Sequence, residues 1–153
     1  MSRNFYIGTL AMVLVIGFLQ FVYKTSLPIK TTAEFSDVSL RIDYATTPAE
    51  REKGLGGRSS IPADYGMLFV FPKDDKYGFW MKDMLVPIDI FWLDSKGQVV
   101  SIAENVATSS YPDVFYPNMP ARYVLETAAG FAQAHSVATD TPLLLKNFPT
   151  VTK

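Results

Sequence analysis

The chain has 153 residues, 48% of them hydrophobic, a formal net charge of −1 and no cysteine. That length and apolar content suit one domain with its own core, and the missing cysteines exclude disulfides, thiolate catalysis, thiolate metal sites and a lipidated cysteine. No run of basic residues able to neutralise several phosphates is present, which argues against nucleic-acid binding, and a lone His135 excludes histidine-rich zinc patterns.

The first element begins at Phe5 and ends at Tyr23, FYIGTLAMVLVIGFLQFVY, and contains no charged residue. As a helix it would span about 28 Å, close to the hydrocarbon thickness of a bilayer. Arg3 precedes it, and Tyr6 and Tyr23 stand where interfacial aromatics are expected. A cleaved signal peptide is the alternative, but the following QFVYKTSLPIK offers no good small-x-small cleavage site. The expectation is an uncleaved single-pass anchor over residues 1–24, then a polar, proline-containing linker over 25–36, then a β domain over 37–153.

Within the domain, Val38, Leu40, Ile42 and Tyr44 alternate with polar residues and predict a strand with those four side chains inward. Thr47, Pro48 and Glu50 form a capping-box pattern that starts a helix, and Gly54, Gly56 and Gly57 end it within two turns. The stretch GMLFVFPKDDKYGFWMKDMLVPIDIFWLD, residues 66–94, carries the strongest signal. Val, Ile, Phe and Trp dominate it, and Pro72 and Gly78 break the pattern, so it reads as strands over 67–71, 79–84 and 86–93. Residues 73–76 read as a solvated turn between them. The run at 86–93 is apolar on both alternating faces, which predicts a strand covered on both sides. Asp94 to Gly97 then form a turn that folds residues 98–104 back as a hairpin. Residues 107–120 hold three prolines and read as a long loop without regular structure, often a functional rim. Residues 121–127 predict another strand, residues 128–135 a short helix capped by Thr127, and residues 142–145 a closing strand.

The blocks GMLFVF, FWMKDMLVPIDIFWLD, ENV and ARYVLETAAG resemble, in that order, the uncharacterised DUF192 (UPF0127) family. The resemblance spans roughly residues 40–145. It implies a mainly β domain with minor α content, a compact antiparallel sandwich or barrel-like body with one or two short helices. It also implies a place behind an export signal or membrane anchor, so the domain is expected on the extracytoplasmic side, or secreted if the N-terminal segment is cleaved. Arg58 matches an arginine of the family, whereas Gly56 stands where the family usually has Met. The resemblance implies no established activity, and no cofactor is expected.

Seven residues are candidates for a polar cluster at a sheet edge. Arg58, Lys82, Asp89, Arg122 and Glu126 supply charge, and Trp80 and Met81 supply an apolar wall. Alternation places Arg122, Val124 and Glu126 on one face of their strand. Asp89 sits at the centre of an apolar strand, where a buried carboxylate needs a partner; Lys82 or Arg122 is the expected basic one. Tyr111, Tyr116 and Met119 in the long loop are candidates to line a groove. A structural role, with the charges satisfying one another and fixing register, competes with each functional one. The leading functional reading is an envelope binding module for a glycan or peptide. An envelope protein–protein interaction factor ranks second. A hydrolase or lyase using a carboxylate pair such as Asp89 and Glu126 ranks third, because no nucleophile motif, phosphate loop or metal pattern accompanies the pair.

Overall fold

The computed structural model describes residues 31–149 and Val151. The expected membrane segment, residues 5–23, lies outside the described residues; among those described, no helix is long and apolar enough to cross a membrane. The domain is mainly β. Its elements are β1 (Thr31–Phe35), β2 (Val38–Ala45), α1 (Pro48–Lys53), β3 (Tyr65–Asp75), β4 (Phe79–Trp80), β5 (Ile88–Leu93), β6 (Val99–Val106), a 3-10 turn (Thr108–Ser110), β7 (Val114–Phe115), β8 (Ala121–Ala128), α2 (Phe131–Ala134) and β9 (Leu143–Leu144).

Seven strands form one sheet in the order β6-β5-β8-β3-β2-β1-β9, and β4 pairs with β7 in a separate ribbon. Neighbours in the large sheet are antiparallel except β2 and β3, which run parallel. A parallel pair needs a crossover rather than a tight turn, and α1 with the loop after it supplies one. The sheet curls until its two ends meet: Gln98 bridges Pro142, and the Leu143 N–H donates to the Gly97 carbonyl at 2.9 Å. The large sheet is therefore a single barrel-like layer with one parallel pair, not the wholly antiparallel two-sheet sandwich that was the other form of the expectation.

Each face of this sheet buries its own core. All seven strands contribute to the concave one, through Phe35, Leu40, Leu68, Phe91, Val99, Leu125 and Leu143 among others, and Phe131 of α2 closes it. The convex face, over β3, β5 and β8, buries Phe69, Ile90, Trp92 and Val124 beneath Leu55, Phe79 and Met81. Hence β5, at the overlap of both layers, has all six residues buried, as a strand apolar on both faces requires.

Several elements form as their local chemistry dictates. In β2, Leu40 and Ile42 enter the concave core, with Val38 and Tyr44 packed against it. Thr47 and Glu50 form the capping box of α1, and the Thr46 and Thr47 amides hold the Glu50 carboxyl down to about 2. At the hairpin, Gly97 adopts φ +82°, and its N–H donates to the Asp94 carbonyl at 3.1 Å. A side chain there would be strained and would run into Phe148.

Other expectations are corrected. Part of the predicted linker is strand: Ala33 and Phe35 of β1 are buried, and the strand pairs with β2 and β9. Residues 73–75 continue β3 rather than turning, because Asp75 still pairs with Ala121 of β8. The predicted strand over 79–84 stops after Trp80, where Lys82 and Asp83 turn with Asp83 at φ +58°. The long loop has structure of its own, since β7 pairs with β4. The N-cap of α2 is Gly130, with no side chain of its own to cap it, and Thr127 instead donates to the Ala128 carbonyl.

Candidate functional site

A hollow of about 320 Å³ opens on the convex face, between α1 and the β4–β7 ribbon. Phe69, Phe71, Tyr77, Phe79 and Trp80 give it aromatic walls, and Arg51, Lys53 and Glu52 line it from α1. The wall on the α1 side is rigid for identifiable reasons. The Arg51 guanidinium donates to the Thr46 and Val70 carbonyls at 2.6 and 3.0 Å and lies 5.2 Å from the Phe71 ring centre. The helix ends at Gly54, whose φ of +48° suits glycine.

Glu126 forms part of the lining. It lies on β8 opposite Met67 of β3 and Ile90 of β5, so its cross-strand neighbours are apolar. The residue is 4% exposed, and Oε2 has no hydrogen-bond partner among the described residues. Burial without a counter-charge disfavours the ionised form and pushes the carboxyl up to about 8. At neutral pH it is therefore largely a carboxylic acid, able both to donate and to accept a hydrogen bond. A methyl group added at Gly54 would stand 3.6 Å from Oε2 and 3.2 Å from the Phe69 ring, so a side chain there would crowd this corner of the hollow.

The seven candidate residues do not form one cluster. Trp80, Lys82 and Glu126 line the hollow together. Trp80 is 42% exposed, sits edge-on to Tyr111 at 6.2 Å and has the Lys82 ammonium 5.7 Å from its ring centre. Lys82 also pairs with Glu52 at 3.2 Å. Met81 is buried in the convex core. Arg122 turns to Asp74 at 2.6 Å. Arg58 lies 4.9 Å from the Tyr65 ring centre and 3.7 Å from Asp43, in a second hollow of similar volume beyond Gly54. Tyr111, Tyr116 and Met119 are exposed, and none of them lines either hollow.

Asp89 overturns two expectations. It is fully buried, but neither Lys82 nor Arg122 reaches it. Three backbone amides do: Asn105 N–H at 2.7 Å and Gly130 N–H at 3.2 Å on one oxygen, and Ala132 N–H at 2.8 Å on the other. The side chain thus caps α2 from a neighbouring strand. It also cannot work as a pair with Glu126. In the β5–β8 register Asp89 faces Thr127, while Glu126 faces Ile90, and the pleat sends Asp89 and Glu126 to opposite faces of the sheet.

Sequence reasoning missed Arg51, Gly54 and Phe69 as parts of the site. The capping box and the glycines after it located α1, but nothing local reveals that this helix end faces β8.

Among curated proteins no match is found. Two solved structures share the fold. A Sinorhizobium meliloti protein described as a "putative transcription regulator" is 29% identical with a TM-score of 0.68, and the match covers 74% of this chain and 89% of that one. A Novosphingobium aromaticivorans protein of unknown function is 24% identical with a TM-score of 0.69, over 78% of this chain and 90% of that one. The model of one family, DUF192 (Uncharacterized ACR, COG1430), matches residues 29–145, which take in every strand described above. With the greater part of its length so matched, the chain belongs to the DUF192 family.

Proposed function

We propose that this domain is a binding module whose convex-face hollow takes a glycan. The carrying observation is Glu126: a buried carboxyl, one oxygen of which has no partner among the described residues, in the lining of a hollow walled by aromatic rings. A buried polar group without a partner is costly, and a ligand hydroxyl, both donor and acceptor, complements a neutral carboxylic acid. The partly exposed Trp80 ring offers the flat apolar surface on which a sugar ring can stack. The carboxylate-pair hydrolase is not proposed, because Asp89 and Glu126 lie on opposite faces. The test is titration of the full-length chain with a panel of neutral and acidic oligosaccharides and cell-wall fragments, read by calorimetry and tryptophan fluorescence. Saturable binding that Glu126→Leu removes, with the melt of that variant still cooperative, is the expected result. No binding by any member at millimolar concentration, or binding indifferent to Glu126→Leu, refutes the reading.

We also propose that residues 5–23 tether the domain to a membrane, with the domain on the extracytoplasmic side. The uncharged length of the segment supports this. The protein is expected to stay in the membrane fraction after a high-salt wash and to be digested by protease added from outside. An intact mass corresponding to a start between Lys24 and Thr31 would overturn the tether.

A further inference from the structure

Resting on the glycan reading, we infer that the two hollows are successive subsites for one acidic oligosaccharide, a chain of uronic-acid type lying across Lys53 and Gly54. Each hollow is about 320 Å³, within the size range of small-ligand pockets, and both are lined by Lys53 and Gly54. Lys53 and Gly54, at the end of α1, are the residues the two linings share, so a chain passing over that helix end reaches from one to the other. A single sugar ring would fill one hollow and leave the other empty; a chain of rings fills both.

The charge follows the same line. Arg51, Lys53, Arg58 and Lys82 line the two hollows, against the exposed carboxylates of Glu50 and Glu52. The surplus is positive, in a chain whose overall net charge is −1. Most of these groups are engaged. Lys82 pairs with Glu52, Arg51 donates to carbonyls, and Glu50 accepts from the amides of its own cap. Arg58 lies against the Tyr65 ring, and its contact to Asp43 is 3.7 Å, longer than a hydrogen bond, so it keeps donor capacity for a ligand. Lys53 has no partner among the described residues and lines both hollows. In this arrangement a carboxylate of the ligand pairs with Lys53, and a hydroxyl of the ligand with Glu126 in the first hollow.

The experiment is calorimetric titration of the full-length chain in a polyoxyethylene detergent, which carries no sugar, with galacturonic acid, trigalacturonate and neutral cellotriose. Trigalacturonate is expected to bind at least about tenfold more tightly than either of the others and to weaken as salt is added. Lys53→Ala and Arg58→Ala are expected to reduce that preference while leaving the melt unchanged. Cellotriose binding as tightly as trigalacturonate, with Glu126→Leu abolishing both, overturns the acidic-chain inference and leaves the glycan reading standing. Galacturonic acid binding as tightly as the trimer overturns the two-subsite arrangement. Binding of none of the three sinks the inference, and if the wider panel also fails, the glycan reading falls with it.

Discussion

Asp89→Ala is expected to lower the stability of the domain by about 3–5 kcal/mol, which corresponds to a fall of roughly 10–20 °C in Tm. The cost arises from three donors at once. The amides of Asn105, Gly130 and Ala132 all point at this one carboxylate, inside the sheet, at 2.7, 3.2 and 2.8 Å. Each buried donor left without an acceptor costs about 1–3 kcal/mol, and relaxation together with the relief of desolvating the carboxylate recovers part of the sum. Asp89→Asn should lie between wild type and alanine. Its oxygen can keep the Asn105 and Gly130 bonds, but its amide nitrogen then meets the Ala132 N–H, donor against donor. Adding Lys82→Gln or Arg122→Gln should recover nothing, because those cations pair with Glu52 and Asp74. Urea unfolding of the four variants at neutral pH measures this. A loss below about 1 kcal/mol for Asp89→Ala would mean that the cap does not hold α2 in place.

Glu126→Gln is expected to act in the opposite direction, and only above mildly acidic pH. The folded carboxyl is pushed up to about 8 from an ordinary value of 4.5, through burial. Between those values the native state keeps a proton that the unfolded chain has released. The stabilising contribution is therefore complete below about pH 4.5 and is lost as pH rises through about 8, with a slope of ~1.4 kcal/mol per pH unit. The total is on the order of 4 kcal/mol for a fully buried group. The glutamine variant lacks this titration, so its stability should stay level where wild type declines. Near pH 8 it should exceed wild type by a few kcal/mol, on the order of the sum above. Unfolding curves at pH 5, 6.5 and 8 are sufficient. A wild-type profile as flat as that of the variant would show that the native state does not hold this carboxyl neutral. A group that lowers stability and finds no partner for one of its oxygens among the described residues is the trade expected of a residue kept for a ligand.

Local chemistry in the chain determined more than the elements alone. The alternation of residues 38–44 fixed the inward face of β2, because one residue's shift would expose Leu40 and Ile42 to water. The capping box at Thr47 and Glu50 and the turn from Asp94 to Gly97 formed as their residue types require, since their hydrogen bonds close within a few residues. The double-sided apolar run at β5 announced burial on both faces, and alternation placed Glu126 on the same face as Val124, which the fold makes the convex one. β1 was within reach too: the alternation of Ala33 and Phe35 is present, but only two apolar residues in a polar setting carry it.

Partners distant in sequence were decided by the tertiary structure. The need of Asp89 for a partner was visible from its setting, but the amides that meet it lie 16, 41 and 43 residues away. Backbone donors are the same in every residue, so a sequence gives no sign of which will converge. Arg122 was drawn 48 residues back to Asp74 by the continuation of β3 as a strand, and Glu126, four positions along the same strand, has no cation paired with it among the described residues. The hollow exists because the crossover between the parallel strands β2 and β3 carries the end of α1 over β8. Which faces meet there depends on the curl and order of the whole sheet, and no window of local pattern contains that information.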